Sequence, residues 1–170
     1  RITNYQEVVV PDSAVSRLVG HLSFEDMMGT YGSYDAFITV VEDADLASST
    51  TWLTVQDESG VEILHHELGT NAQIGDIRLT QLDDMDEASF SLVFPVLDWS
   101  TNSSRIEAYK FESSTSSLTS MGSVVLDGYS PATPEEIEYF TEVRSDGSVE
   151  AIYRDGSQNL IRWDSSTNVS

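Results

Sequence analysis

SFSLVFPVLDW, residues 89–99, is the most apolar stretch of the chain and predicts the central strand of a β-sheet. Pro95 has no N–H to give to a neighbouring strand, so it favours a sheet edge or a bulge for the second half of this stretch. Segments rich in β-branched, aromatic or alternately apolar residues predict further strands on both sides. They are NYQEVVVP (4–11), YDAFITVV (34–41), TTWLTVQ (50–56), VEILHHEL (61–68), GDIRLTQL (75–82), SRIEAYKF (104–111) and LTSMGSVVL (118–126).

Two other segments predict short helices. Residues 12–29 carry apolar side chains at positions i, i+3, i+4 and i+7, which is the spacing of one helical face. These side chains are Val15, Leu18, Val19 and Leu22. Residues 134–144 follow a capping box, because Thr133 precedes Pro134 and Glu136 stands three positions after the threonine. We therefore expect a helix in each segment.

The end of the chain predicts a hairpin over residues 148–163, with its turn at Asp155 and Gly156. Together these elements predict a mainly β fold, an antiparallel β-sandwich or jelly-roll-like architecture with one or two short helices. A length of 170 residues fits a single domain, residues 1–170, with residues 1–30 as a candidate strand–helix annex.

Three pairs of predicted strands are similar to one another. YDAFITVV with TTWLTVQ, ASFSLVFP with RIEAYKF, and GSVEAIYRDG with NLIRWD each give two strands and then a turn of Asp, Glu or Ser. Phe37 and Phe90 lie 53 residues apart, and Val55, Phe111 and Trp163 are spaced by 56 and 52 residues. The pattern resembles the blade repeat of extracellular β-propellers, whose sheets have four short strands. This resemblance implies blade-like repeats as the alternative to a sandwich.

Composition restricts the setting and the partners. The chain has no cysteine, which excludes disulfides, thiolate metal sites and a cysteine nucleophile. Its 29 acidic and 8 basic residues give a net charge of −21, which disfavours nucleic acid and anionic membranes as partners. No stretch of about 18 apolar residues predicts a membrane span. We expect an extracellular, cell-surface or virion location, because the acidic, lysine-poor composition resembles that of proteins from saline settings.

Two acidic clusters, EDAD (42–45) and DDMDE (83–87), are the candidate metal sites. Calcium prefers six to eight oxygen ligands from carboxylates and loop carbonyls, and each cluster offers both within one loop. The candidate ligands are Asp43, Asp45, Asp84 and Asp86. Neither cluster has the glycine of an EF-hand loop, and acidic runs in such a chain are more often solvated turns. We expect no resident cofactor, with calcium as the one ion that these residues suit.

The histidines give a weaker metal signal. His65 and His66 are adjacent on a predicted strand and so point to opposite faces, while His65 and Glu67 share one face. A transition-metal site would need a third ligand from elsewhere, such as His21. The pattern therefore favours structural roles for these histidines.

Five aromatic residues on or beside predicted strands are candidate ligand or interface residues. They are Trp52, Trp99, Trp163, Tyr109 and Tyr153. Exposed on one face, they would form a platform for sugar rings, and buried, they would supply core area. The second case is expected for at least two of the three tryptophans. The sequons at Asn102 and Asn168 are candidate glycosylation sites.

No nucleophile elbow, glycine-rich phosphate loop or zinc-protease helix is present in the sequence. The leading hypothesis is therefore a non-enzymatic surface or structural protein, such as a filament, surface-layer or virion subunit, whose partner is protein in a homo-oligomer or larger assembly. Strand-like segments near both ends, YQEVVV (5–10) and NLIRWD (159–164), could add to the sheet of another copy. The alternative is an adhesin module for glycan or peptide, which calcium could assist, and a secreted hydrolase or propeller fragment comes third.

Overall fold

The computed structural model describes residues 15–42, 49–70, 72–98, 101–126 and 136–167, which form twelve β-strands in three antiparallel sheets. The first sheet has the order β1 (Val15–Glu25), β2 (Ser33–Glu42), β3 (Ser49–Asp57), β4 (Glu62–Thr70). The second sheet contains β5 (Ala72–Ile74), β6 (Arg78–Gln81), β7 (Ser89–Asp98), β8 (Ser103–Glu112) and β9 (Ser117–Val125). The third sheet has the order β10 (Tyr139–Val143), β11 (Val149–Arg154), β12 (Leu160–Asp164).

The three sheets are stacked in chain order, with the second sheet in the middle. One apolar core lies between the first and second sheets, and another lies between the second and third. Face-to-face packing of antiparallel sheets confirms the predicted sandwich-like, mainly β architecture. Among the described strands, most hydrogen-bonded neighbours follow one another along the chain, as in a meander, without the crossed connections of a jelly roll.

Strand β7 is central, as its apolar sequence predicts, and its side chains supply both cores. Phe90, Leu92 and Phe94 face the first sheet, while Val93 packs into the core beside the third. Pro95 does not displace the second half of β7 to an edge, because that half pairs with both β5 and β8. The interruption occurs in the neighbouring strand instead. Pairing with β6 ends at Val93 and pairing with β5 begins at Val96, so no partner requires the missing N–H.

The first core is rich in phenylalanine. Phe24 of the first sheet meets Phe90 edge-on at a centroid distance of 4.9 Å, and Phe90 stacks with Phe111 at 5.2 Å. The second core contains Trp163, which has no exposed surface, together with Tyr139 and buried aliphatic side chains. Each core therefore joins one end sheet to the middle sheet.

The helix predicted over residues 12–29 is wrong for its described part, because Val15–Glu25 is strand β1. A β-bulge between Leu18 and Gly20 explains the misleading pattern. The extra residue, Val19, packs against the first core together with Leu22, three positions later, although regular alternation would place them on opposite faces. The bulge thus imitates helical spacing. The first part of the candidate annex, residues 1–14, lies outside the described residues.

The helix predicted over residues 134–144 is also wrong where the structure describes it, because Tyr139–Val143 is strand β10. Tyr139 is buried in the second core, and β10 pairs with β11 along its whole length. Burial and pairing thus override the local capping signal of Thr133 and Pro134, which lie outside the described residues. The described residues form no α-helix. The predicted terminal hairpin is confirmed as β11 and β12.

The similar strand pairs occupy equivalent places in the three sheets. They are β2–β3, β7–β8 and β11–β12, and in each sheet they form one continuous hairpin of the meander. The register aligns Phe37–Thr54 with Phe90–Phe111, so the position equivalent to Phe111 is Thr54 rather than the expected Val55. The repetition of hairpins is what gave the sequence its blade-like period.

Candidate functional site

The stack leaves two sheet faces open, one at each end. The first-sheet face consists of the side chains that point away from the second sheet, and the third-sheet face is the corresponding surface of the third sheet. The first-sheet face includes Leu18, His21, Ser23, Glu25, Asp35, Phe37, Thr39, Trp52, Thr54, Glu62, His65 and Glu67. The third-sheet face includes Phe140, Glu142, Glu150, Ile152, Arg154, Leu160, Arg162 and Asp164.

One half of the first-sheet face is built around a stack of His21 on Phe37, whose ring centroids are 4.9 Å apart. The two residues are direct cross-strand partners on β1 and β2. Asp35 Oδ1 lies 2.9 Å from His21 Nε2 and accepts a 2.5 Å hydrogen bond from Ser23 Oγ. Partial burial raises the pKa of the Asp35 carboxyl, but the interactions with Ser23 and His21 lower it by more, so the pKa lies below its ordinary value of 3.8. The carboxylate is therefore held in its charged form.

The other half is built around a stack of Trp52 on His65, with centroids 4.4 Å apart and rings 9° from parallel. His65 Nδ1 lies 3.0 Å from Thr54 Oγ1 and 3.9 Å from a Glu62 carboxylate oxygen. Glu67 shares the face of His65 by ordinary alternation, whereas the register shift between Val55 and Gln56 adds Ile63 to β4 and so keeps Glu62 on that face as well. The face thus gathers an indole, an imidazole and two carboxylates.

The charge of the first-sheet face is one-sided. Glu25, Asp35, Glu62 and Glu67 belong to it, and its described residues include no lysine or arginine. In a chain of net charge −21, this face can attract a cationic group and repel another acidic surface. Aromatic rings beside the carboxylates would add cation–π attraction.

The third-sheet face carries three large apolar side chains in the open. Phe140, Ile152 and Leu160 are 73%, 39% and 65% exposed. Phe140 lies directly opposite Ile152 across β10 and β11, and Leu160 is a diagonal neighbour of Ile152 on β12. They form one continuous apolar strip across the sheet.

Beside this strip lies a compact group of ion pairs. Arg144 donates to both oxygens of Asp164, at 2.9 and 2.8 Å, and to Glu150 at 3.2 Å. Arg162 donates to the same Glu150 oxygen at 2.5 Å. The pKa of Asp164 is held well below its ordinary value, mainly by the hydrogen bonds from Arg144 and then by Ser166. These acids are therefore largely neutralised.

Arg154 is the exception in this group. It is exposed, lies directly opposite Leu160, and forms no ion pair with a described carboxylate. Its Nη1 atom donates only to the Gln158 carbonyl, at 3.2 Å. An unpaired cation thus stands at the edge of the apolar strip.

The predicted aromatic residues do not form one platform. Of the four that the structure describes, Trp52 lies on an open face, while Trp163 and Tyr153 are buried in the second core. Tyr109 is half-buried in the second sheet, where its hydroxyl donates to Glu107 at 2.9 Å. Burial, the Glu107 charge and this bond raise the pKa of Tyr109 to about 12. Trp99 lies outside the described residues.

The predicted calcium ligands are not brought together by the described residues. Asp84 and Asp86 share one loop, in which Asp84 Oδ1 accepts the Asp86 N–H at 3.0 Å. No group of three histidine, aspartate or glutamate side chains converges as a metal site within the described ranges. Asp43 and Asp45 lie outside those ranges, so calcium binding stays a prediction.

The remaining predicted sites are separated in the structure. His21 and His65 stand three strands apart in one row of the first sheet, about 14 Å at about 4.8 Å a strand, which is too far to share an ion. Asn102 lies exposed in the turn between β7 and β8, at a positive φ of 50°. Asn168 lies outside the described residues.

Sequence reasoning missed Phe37, Phe140 and Ile152 as surface residues. The sequence does contain a signal for them, because each lies beside buried residues that point to the opposite face of its strand. Ile152, for example, lies between the buried Ala151 and Tyr153. Apolar residues at both parities indicate a strand meant to be covered on both faces. Which face lies open depends on the place of the sheet in the stack, and a single strand does not carry that information.

Comparison with known proteins gave no match to a family model, to a curated protein or to a solved structure. None of the described residues forms a helix long and apolar enough to cross a membrane.

Proposed function

We propose that this chain is a non-enzymatic structural protein whose copies assemble through the open ends of the sheet stack. The observation that carries the proposal is the apolar strip of Phe140, Ile152 and Leu160 on the third-sheet face. Exposure of adjacent apolar side chains to water is unfavourable, and covering them with another surface lowers the free energy. A second copy of the chain is the occupant that we propose.

Local charge supports this occupant. Copies with a net charge of −21 repel one another on average. On the third-sheet face, however, Glu150 and Asp164 are paired with arginines, and Arg154, which has no described carboxylate partner, offsets the remaining acid, the exposed Glu142. This is the described open surface where another copy meets the least repulsion.

The setting that we propose is extracellular: a cell surface, a filament, a surface layer or a virion. The supporting observations are the absence of cysteine and the excess of acidic residues, which keeps a protein soluble at high ionic strength. Salt also favours assembly in this setting, because it screens the repulsion between copies and leaves the apolar contact intact.

The test is light scattering of the whole chain across a salt series and a concentration series. We expect the mass to rise above the 18.8 kDa of one chain as salt and concentration increase. Phe140→Thr combined with Leu160→Thr should hold the mass at the monomer value. The matched control is Val61→Thr with Met85→Thr, which removes two apolar side chains that are more than half exposed elsewhere and should assemble normally. A wild-type chain that stays monomeric throughout would refute the proposal.

A further inference from the structure

We infer that assembly is head-to-tail, with the third-sheet face of one copy packed on the first-sheet face of the next. This inference rests on the proposed function and adds the partner surface and the symmetry. It commits to a second copy as the occupant of both open faces. Charge, apolar cover and the repeat within the chain all support this arrangement.

Charge favours unlike faces. Arg154 on the third-sheet face makes no ion pair with a described carboxylate, and Arg162 has a 69% exposed side chain although it pairs with Glu150. The first-sheet face offers Asp35, Glu62 and Glu67 with no described lysine or arginine among them. Two first-sheet faces would bring acids against acids, whereas unlike faces bring Arg154, which has no described carboxylate partner, to acids that no described lysine or arginine neutralises.

Apolar cover favours the same arrangement. The first-sheet face exposes part of Phe37 and Trp52, and the third-sheet face exposes Phe140 and Leu160. Pairing two third-sheet faces would leave Phe37 and Trp52 in water. Because charge disfavours contact between two first-sheet faces, head-to-tail stacking is the arrangement that covers both ends of every interior copy.

The chain already contains two contacts of this kind. Each joins one sheet to the next in chain order, and the register makes Phe37 of the first sheet equivalent to Phe90 of the second. Phe90 packs on the preceding sheet, in the first core. Phe37 points in the corresponding direction, where no sheet of the chain precedes it within the described residues. A third sheet from another copy would supply that missing neighbour.

The symmetry and strength of the contact follow. A contact between unlike faces does not close on itself, so it produces open filaments, or rings if the rotation between copies allows closure. Three strands of five or six residues cover only about 14 by 17 Å, less than the roughly 800 Å² per partner of a standard interface. Each contact is therefore weak, and assembly should depend steeply on concentration.

Two face variants of the whole chain, alone and mixed, distinguish the modes. The first-face variant combines Phe37→Thr with Trp52→Thr, and the third-face variant combines Phe140→Thr with Leu160→Thr. Under conditions where the wild type assembles, we expect each variant alone to be monomeric by analytical ultracentrifugation. Their mixture should form a species of twice the 18.8 kDa chain mass and nothing larger, because one intact face of each kind remains.

The other outcomes identify other modes. If the first-face variant assembles like the wild type and the mixture forms no pair that contains both variants, two third-sheet faces join and the inference is overturned while the proposed function stands. If both variants assemble, the contact lies elsewhere, for example at the edge strand β12, and the inference fails. A monomeric wild type removes the inference together with the proposed function.

A second measurement keeps the test independent of folding defects. Arg154→Gln should weaken assembly of the wild type about two- to fivefold, the range expected for one exposed charge contact. Arg17→Gln is the matched control, since Arg17 is also exposed but pairs with Glu42 within its own chain. Circular dichroism should show the same strand content in all variants. Equal assembly of both arginine variants would count against the proposed charge contact.

Discussion

Aspartate side chains close several of the turns between strands. Asp57 Oδ1 accepts the N–H groups of Ser59 and Val61, both at 2.9 Å. Asp155 Oδ1 likewise accepts the N–H groups of Ser157, at 2.9 Å, and Asn159, at 2.8 Å. Backbone donors that no strand satisfies thus find carboxylate acceptors. Part of the acidity of this chain therefore serves its turns.

Gly147 is the turn residue with the strongest steric requirement among the described glycines. It has a φ of +86°, and a Cβ added there would lie 2.7 Å from Lys110 Cδ and 2.9 Å from Lys110 Cγ. Lys110 has little freedom to move, because its side chain is only 16% exposed and its ammonium lies 2.7 Å from Glu112. The site thus excludes a side chain for two separate reasons.

We predict that Gly147→Ala destabilises the protein by about 2–4 kcal/mol, combining the left-handed backbone with overpacking. Gly60→Ala is the matched control, since Gly60 has a φ of +78° and nothing within 4 Å of an added Cβ. It should lose only about 1 kcal/mol. Urea unfolding of both variants measures the difference. Equal losses would show that Lys110 yields without cost.

At the level of elements, local sequence patterns predict the regular strands and fail at the irregular ones. Alternation and β-branching identify β2, β3, β7, β8 and the terminal hairpin. Prediction fails at β1, where a bulge at Val19 imitates helical spacing, and at β10, where a capping signal precedes a strand that burial of Tyr139 fixes. Both failures come from interactions with distant residues, which local patterns do not contain.

The candidate surfaces were predictable only in part. The sequence offers Trp52 as a candidate surface aromatic, but its stack on His65 depends on the register between β3 and β4, which places the two side chains diagonally across from each other. Apolar residues on both faces of β11 indicate the third-sheet strip from the sequence alone. Its exposure follows from the stacking order of the sheets, which needs the whole fold.

The third sheet is attached to the rest of the described structure mainly through the second core, and Trp163 is the largest side chain buried there. We predict that Trp163→Ala destabilises the protein by about 3–5 kcal/mol, because it leaves a cavity in that core. Hydrogen exchange should accelerate more in β10–β12 than in β1–β4. The comparison is Trp52→Ala on the open first-sheet face, which should cost about 1 kcal/mol. Equal costs would place most of the stability outside the second core.

At the scale of the whole molecule, each sheet is built from consecutive strands and packs only on the sheets that adjoin it in sequence. The second sheet contacts both neighbours, whereas the end sheets each use one face. Such a stack resembles repeat proteins in its energetics, because stability is distributed over successive layer-to-layer contacts. Its ends are also the places where further layers can be added, and this is why the proposed function and the mode of assembly both concern the end faces.

Net charge acts on the molecule as a whole. With 29 acidic and 8 basic residues, folding brings like charges closer together than they are in the unfolded chain. Sodium chloride shortens the screening length from about 10 Å at 0.1 M to about 3 Å at 1 M. We therefore predict that the thermal midpoint of unfolding rises over this range, even though salt weakens surface pairs such as Arg17–Glu42.

Assembly would also raise the midpoint, so the measurement uses the third-face variant, which should remain monomeric. An uncharged osmolyte, sucrose, serves as the comparison, since it stabilises folded proteins without screening charge. In a further variant, Glu58→Gln and Asp83→Asn remove two exposed acids, and the salt response should become smaller. A midpoint that falls with salt would mean that the ion pairs within the fold outweigh the repulsion among the unpaired acids.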